Sequence, residues 1–285
     1  MAESAAETYR RNGFVIFRRA APREIVEALA ESEAEVVRPY SGPLYRHDLR
    51  VATHDYYRSS ALSNVERSRS GLLNAHLLKD SPIQRFVDSF VRLLTSRAIY
   101  DCLHRLDSEP RYTLHQSIFF FVSPLTNPHI DRMTRDTAPP GRSFTVWVPI
   151  DPVGATNGPI LVVPRPLGYY ESEADLGTAV VDDPRKAEEA HRNALGRRLQ
   201  ADGAVAMVPL LNPGDVLVFA PSTPHGSLPP HQANAPRKSI QAIYRPASVT
   251  RWGDQRGHDA VRHPMVNAQV VSERLTILKA ALPRF

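Results

Sequence analysis

A single cysteine, Cys102, is all the thiol that this 285-residue sequence contains. No intrachain disulfide can form and no thiolate cluster can hold a metal, so a reducing, cytoplasmic setting is expected. No run approaches the roughly 18 apolar residues that a membrane-spanning helix needs, and no membrane partner is expected. Met1-Ala2-Glu3-Ser4 lacks the basic start and apolar stretch of a secretory signal. No Ser-His-Asp or paired-carboxylate signature stands out, and no internal repeat or low-complexity tract is visible. Lysine is scarce. Lys+Arg outnumber Asp+Glu by only 35 to 30, for a net charge of +5. The basic residues are scattered rather than gathered into a stripe, so this balance does not single out nucleic acid. Arg46, Arg50, Arg132 and Arg135 are either anion-binding candidates or solvated surface.

What remains is an ordinary globular composition, 42% hydrophobic and 23% charged, at a length that one barrel or sandwich can fill. The first 110 residues read as largely helical. A helical turn ends at Gly13, Phe14–Phe17 is a short apolar strand, and a helix begins at Pro22. Residues 38–80 are irregular and rich in Tyr, Arg, Ser and His, as binding loops often are. His47, His54 and His76 have no metal-ligand spacing there and read as surface or core histidines. Residues 82–105 carry one apolar stripe, Ile83, Phe86, Val87, Phe90, Val91 and Leu94, and are expected to form one helix.

The β-rich part spans about 111–250. Strands are expected at 112–122, 143–150, 160–163, 204–208, 215–219 and 238–244, with 143–163 forming a hairpin about Asn157-Gly158. Residues 164–202 break the β rhythm as an excursion, either a lid over a pocket or a surface insertion, in which 182–198 read as an exposed helix with His191 solvated. A C-terminal amphipathic helix is expected at about 268–283. Short strands with tight turns indicate a jelly roll or barrel.

The chemistry concentrates at Asn127-Pro128-His129-Ile130-Asp131 and at Pro224-His225-Gly226-Ser227. In an extended segment residues two apart point the same way, so His129 and Asp131 offer an imidazole and a carboxylate to one point. A second imidazole from His225 completes a two-histidine, one-carboxylate face that suits Fe(II) with open positions. His231, deeper in the Pro-rich loop, is the competitor for that place. His-x-Asp alone is a weak motif; its surroundings give it weight.

Those surroundings resemble the phytanoyl-CoA dioxygenase-like family of Fe(II)- and 2-oxoglutarate-dependent oxygenases. The resemblance is carried by His129-x-Asp131, Thr145-Val146-Trp147-Val148-Pro149-Ile150 and Asn157-Gly158-Pro159-Ile160. Gly214-Asp215-Val216-Leu217-Val218-Phe219, leading to His225 and then Arg237, completes the set. It implies a mainly β fold with flanking helices, a double-stranded β-helix (cupin-like jelly roll) forming a single domain over 1–285. It implies Fe(II) held by His129, Asp131 and His225, with 2-oxoglutarate and O2 as co-substrates. Arg237 would grip the distal carboxylate, a task suited to a planar guanidinium, with Arg245 its competitor. Ser239, Trp147 and Ser227 would line the co-substrate pocket. Relatives often carry a polar co-substrate contact where this chain has Ser117-Ile118-Phe119-Phe120-Phe121, so Gln116 or Ser117 stands in or the contact is absent. Arg132, Phe119 and Phe121, together with 38–60 and 165–200, are the substrate-pocket candidates.

Asp131, where halogenating relatives have Gly or Ala, implies hydroxylation or another oxidation of a small molecule, by analogy a natural product or antibiotic precursor. A monomer or homodimer is expected. The rival readings are a nucleic-acid demethylase of the same superfamily, for which two arginines close together on the last strand are wanting, and a non-catalytic jelly-roll binding module.

Overall fold

The computed structural model describes residues 3–40, 71–78, 81–131, 136–169, 184–232, 235–251, 260–262 and 266–269. The chain opens with α1 (Ala5–Asn12), which Ser4 and Glu7 cap reciprocally and which Gly13 ends in the left-handed region at φ +76°. Strand β1 (Phe14–Phe17) follows, then α2 (Arg23–Ser32), entered at Pro22. After β2 (Gly71–Leu73) come α3 (Gln84–Leu94) and α4 (Arg97–Asp107). The single helix expected over 82–105 is therefore two. The break falls at Thr95–Ser96, where the Ser96 hydroxyl accepts from the Ile99 amide and restarts the helix.

The strands that follow are β3 (Tyr112–Val122), β4 (Thr137–Ala138), β5 (Phe144–Pro149) and β6 (Ile160–Val162). Helix α5 (Pro184–Ala201) precedes β7 (Val216–Phe219), β8 (His225–Ser227) and β9 (Pro236–Pro246). Short strands β10 (Thr250–Arg251), β11 (Ala260–Arg262) and β12 (Val266–Gln269) complete the described chain. The major sheet runs β1-β7-β5-β9-β3-β12-β11, with β2 added on β3. A small sheet pairs β6 with β8, and single bridges join Val162 to Met207 and His129 to His225.

Three expectations fail here. Residues 143–163 are not a hairpin, because β5 lies in the major sheet between β7 and β9 while β6 crosses to the small one. Residues 204–208 are not a strand; only Met207 pairs, and Val205 is 77% exposed, so the apolar run has no sheet face to bury. Residues 268 and 269 belong to β12, parallel to β3, rather than to a helix, and the rest of the expected C-terminal helix lies outside the described residues. No described helix is long and apolar enough to cross a membrane.

The major sheet buries both faces, which cross-strand alternation assigns. Ile240, Ala242 and Tyr244 of β9, Val146 and Val148 of β5 and Phe119 of β3 meet Phe86, Phe90 and Leu93 of α3 in the larger core. On the opposite face Trp147, Leu217, Phe219, Ile160 and Val162 fill the space toward the small sheet. Phe119 makes edge contacts with Phe86 and Phe90, and Phe121 meets Phe119 edge-on and packs against the same core. Both rings, expected in the substrate pocket, therefore face the helices. Phe119→Ala is expected to lower the unfolding free energy by about 3–5 kcal/mol. Urea denaturation measures this, and metal binding by the folded fraction should be unchanged.

Candidate metal centre

His129 and His225 are direct antiparallel neighbours. Each amide donates to the other's carbonyl at 2.9 Å, the reciprocal exchange that puts two side chains on one face. Their ring centroids lie 4.3 Å apart. The Asp131 amide donates to the Pro221 carbonyl at 2.9 Å, four residues before His225 rather than the two of a regular ladder, and so ties the His-x-Asp segment to the loop ahead of β8. The close approach rests on Gly226, where a Cβ would lie 2.7 Å from the Thr126 carbonyl oxygen. Ser227 pins the same loop: its hydroxyl accepts from the Thr126 amide at 2.9 Å, so this hydroxyl has a structural partner.

The imidazoles are oriented by their own strands. His129 Nδ1 lies 2.9 Å from the Asn127 carbonyl oxygen and His225 Nδ1 lies 3.0 Å from that of Thr223. A carbonyl only accepts, so both Nδ1 atoms carry the proton and both Nε2 atoms present lone pairs. His129 Nε2 is 3.7 Å from Asp131 Oδ1, and His225 Nε2 is 3.7 Å from Asp131 Oδ2. One ligand atom from each of the three residues lies within 4.8 Å of the others. Asp131 and His225 are buried and His129 is partly open, with 17% of its side chain exposed. Two neutral nitrogens and one carboxylate on a single face fit a divalent metal that keeps open positions.

Behind this cluster runs the inward face of β9, with Arg237, Ser239 and Gln241 alternating as expected. Arg237 is 1% exposed and donates to the Ser239 hydroxyl at 3.1 Å. Its guanidinium lies over the Trp147 ring at 5.4 Å. Its Nε has no hydrogen-bond partner, and no described carboxylate forms an ion pair with it. Burial pulls its pKa down to about 9, against a smaller opposing pull from Asp151. A buried guanidinium so poorly matched fits an incoming carboxylate. Its competitor, Arg245, donates to the carbonyls of Pro246 and Val249.

The other candidates separate by face. Gln116 lies opposite Ile243 and two residues from Ile118, which faces Gln241, so Gln116 and Phe120 share the metal-facing side. Ser117 lies on the helix side, 2.6 Å from His76 Nδ1. Trp147 is buried between the sheets. His231 is not among the three converging residues. Arg132 and most of 38–60 lie outside the described residues. His191 is buried rather than solvated, because α5 packs Ala194 and Leu195 against Ile130, on the reverse of the His-x-Asp segment. Thr145 and Gln241 were missed: both donate to Asp131 Oδ2, at 3.2 Å and 3.3 Å. Strand alternation held the signal, since Thr145 shares a face with Trp147 and Gln241 with Arg237.

A family model described as Phytanoyl-CoA dioxygenase (PhyH) matches residues 9–239. No curated protein matches the sequence significantly. Among solved structures, the chain is similar to the epimerase SnoN in complex with Fe3+, alpha ketoglutarate and nogalamycin RO, at 20% identity, 95% of each chain covered and TM-score 0.56. It is also similar to the alpha ketoglutarate-dependent carbocyclase SnoK from nogalamycin biosynthesis, at 15% identity, 90% of this chain and 89% of that one, TM-score 0.57. A third is EctD from S. alaskensis with bound Fe, at 16% identity, 86% of this chain and 78% of that one, TM-score 0.54. These likenesses establish the cupin-like jelly-roll fold.

Arg237→Met removes a buried cation that lacks an anion. The metal-free variant is expected to melt higher by about 2–4 °C for each kcal/mol of burial cost relieved. Calorimetric melting of the two proteins at neutral pH measures this.

Proposed function

The chain belongs to the phytanoyl-CoA dioxygenase (PhyH) family of Fe(II)- and 2-oxoglutarate-dependent oxygenases, and from that premise we propose its ligand set and its class of substrate. His129, Asp131 and His225 hold Fe(II). The observation that carries this is the convergence of their three ligand atoms within 4.8 Å, on a face shared with a buried, under-matched guanidinium. When bound, Fe(II) and 2-oxoglutarate supply the oxidising chemistry: O2 is consumed, 2-oxoglutarate leaves as succinate and CO2, and a substrate C–H bond is oxidised.

The protein's own residues bind, orient and exclude. The Nδ1–H bonds to Asn127 and Thr223 fix the two imidazoles with Nε2 forward. Arg237 and Ser239 receive the distal carboxylate of 2-oxoglutarate, and Trp147 walls the guanidinium from water. About 13 Å of strand separates Arg237 from Gln241 beside Asp131, which leaves length for an extended dicarboxylate between cation and metal. Gln116, Ile118 and Phe120 of β3 share the face of Ser239 and Gln241 and would line the co-substrate space.

The substrate is a small molecule, and a natural-product intermediate is the favoured kind. The support is the likeness to SnoN and SnoK, described as acting in nogalamycin biosynthesis as an epimerase and a carbocyclase. A demethylase of nucleic acid is disfavoured because the second arginine of β9, Arg245, donates to the backbone rather than into the site.

Fe(II)-loaded protein should turn over 2-oxoglutarate to succinate in air, and His129→Ala or Asp131→Ala should abolish this. Arg237→Met should raise the KM for 2-oxoglutarate at least about 30-fold, the loss of roughly 2–5 kcal/mol from a buried charge pair. Succinate formed at undiminished rate by His129→Ala would refute the ligand set.

A further inference from the structure

Asp131 does not stand alone among its neighbours. Its Oδ2 accepts from the Thr145 hydroxyl at 3.2 Å and from the Gln241 amide at 3.3 Å and lies 3.7 Å from His225 Nε2, while Oδ1 lies 3.7 Å from His129 Nε2 and accepts from neither of these donors. The two donors come from adjacent strands. Trp147 of β5 is the register partner of Gln241 in β9, and Thr145 lies two residues before it on the same face. Each is therefore a diagonal neighbour in a ladder fixed by backbone bonds, and neither can drift without distorting the central pair of the major sheet. Thr145 is buried and Gln241 half-buried, so both bonds are sheltered.

We infer that Thr145 and Gln241 are positioning residues that hold Asp131 to coordination through one oxygen, Oδ1. The inference rests on the iron reading above. A carboxylate can take a divalent cation with one oxygen or with both. A divalent ion held by two imidazoles and one carboxylate oxygen would keep room for a chelating keto acid and for O2. A second bond from Oδ2 would take up part of that room. Two hydrogen bonds to Oδ2 occupy the lone pairs that a second metal bond would need and aim Oδ1 forward. They also offset the negative charge that one-oxygen coordination leaves on the outer atom.

The two donors differ in kind. Thr145 is buried within the central ladder, so its hydroxyl is rigid, and Thr145→Val removes the donor with almost no change in shape. Gln241 ends in an amide on a flexible stem, so Gln241→Leu tests the same bond at a position where the fold tolerates change. Neither residue is placed among the metal ligands or against 2-oxoglutarate.

The test is anaerobic titration of Fe(II)-loaded protein with 2-oxoglutarate. It follows the visible charge-transfer band of the keto-acid chelate together with the calorimetric Kd, in the parent, Gln241→Leu, Thr145→Val, Thr145→Ser and the double variant Thr145→Val/Gln241→Leu. The parent and Thr145→Ser should show the full band. Each single loss should weaken 2-oxoglutarate binding about 10-fold, and the double variant should lose or shift the band while still taking up one Fe(II). A parent without a band refutes the iron reading itself. A parent with a band that Gln241→Leu leaves unchanged in energy, intensity and Kd overturns this inference alone, whether or not the Thr145 variants fold.

Discussion

One reciprocal pair of backbone hydrogen bonds, between His129 and His225, sets the rest of the site. Two segments distant in sequence meet there with a geometry that side chains alone could not maintain, because a directly opposed antiparallel pair presents both Cβ atoms to the same side. Once that pair is in register, Asp131 follows by alternation and the Asp131–Pro221 bond locks the frame. A slip of one residue would turn His129 and Asp131 to the reverse face, where Ile130 meets α5, and away from His225. Gly226 is the condition for this closeness, since any side chain there would strike the loop leading into His129.

Strand β9 joins that frame to the scaffold. It lies between β5 and β3, and its two faces carry opposite burdens. Ile240, Ala242 and Tyr244 contribute apolar burial against the helices, with the Tyr244 hydroxyl satisfied by the Leu94 carbonyl at 2.8 Å. Arg237, Ser239 and Gln241 place charge and hydrogen-bonding groups indoors on the other face, where burial opposes stability. The aromatic cluster of Phe86, Phe90 and Phe119 lies across the sheet from that polar strip, so one face of the sheet supports what the other costs.

Legibility in the sequence followed the range of the interaction. Period-two alternation made β5 and β9 readable and correctly grouped Arg237, Ser239 and Gln241, because a strand's faces are a local property, while β3 was legible from its β-branched and aromatic residues. Gly13 and Pro22 marked their helix boundaries for the same reason, through dihedrals that need no partner. Pairing was not local. Asn157-Gly158 suggested a hairpin, yet β5 found better partners in β7 and β9, and the turn instead carries the chain between sheets. Phe119 and Phe121 were placed on the wrong side because the β-bulge between Leu114 and Gln116 shifts the register against β9, a change with no composition cue. His191 was read as solvated from a charged helix; it is buried on the helix whose Ala194 and Leu195 pack against Ile130, a contact that only the folded chain makes.

The same distinction explains why the polar groups of the site survive burial. The two histidine Nδ1–H groups are matched by carbonyls two residues away, and Thr145 and Gln241 by Asp131, so the fold satisfies them as it forms. Arg237 is the exception. Its one hydrogen bond, to Ser239, and the Trp147 ring leave part of the guanidinium unmatched, and its lowered pKa records the cost. A cation held in this way before its anion arrives needs no reorganisation when a carboxylate binds, so the burial cost is met by folding rather than by binding. The stability that the aromatic face supplies is what lets the opposite face hold an under-matched guanidinium.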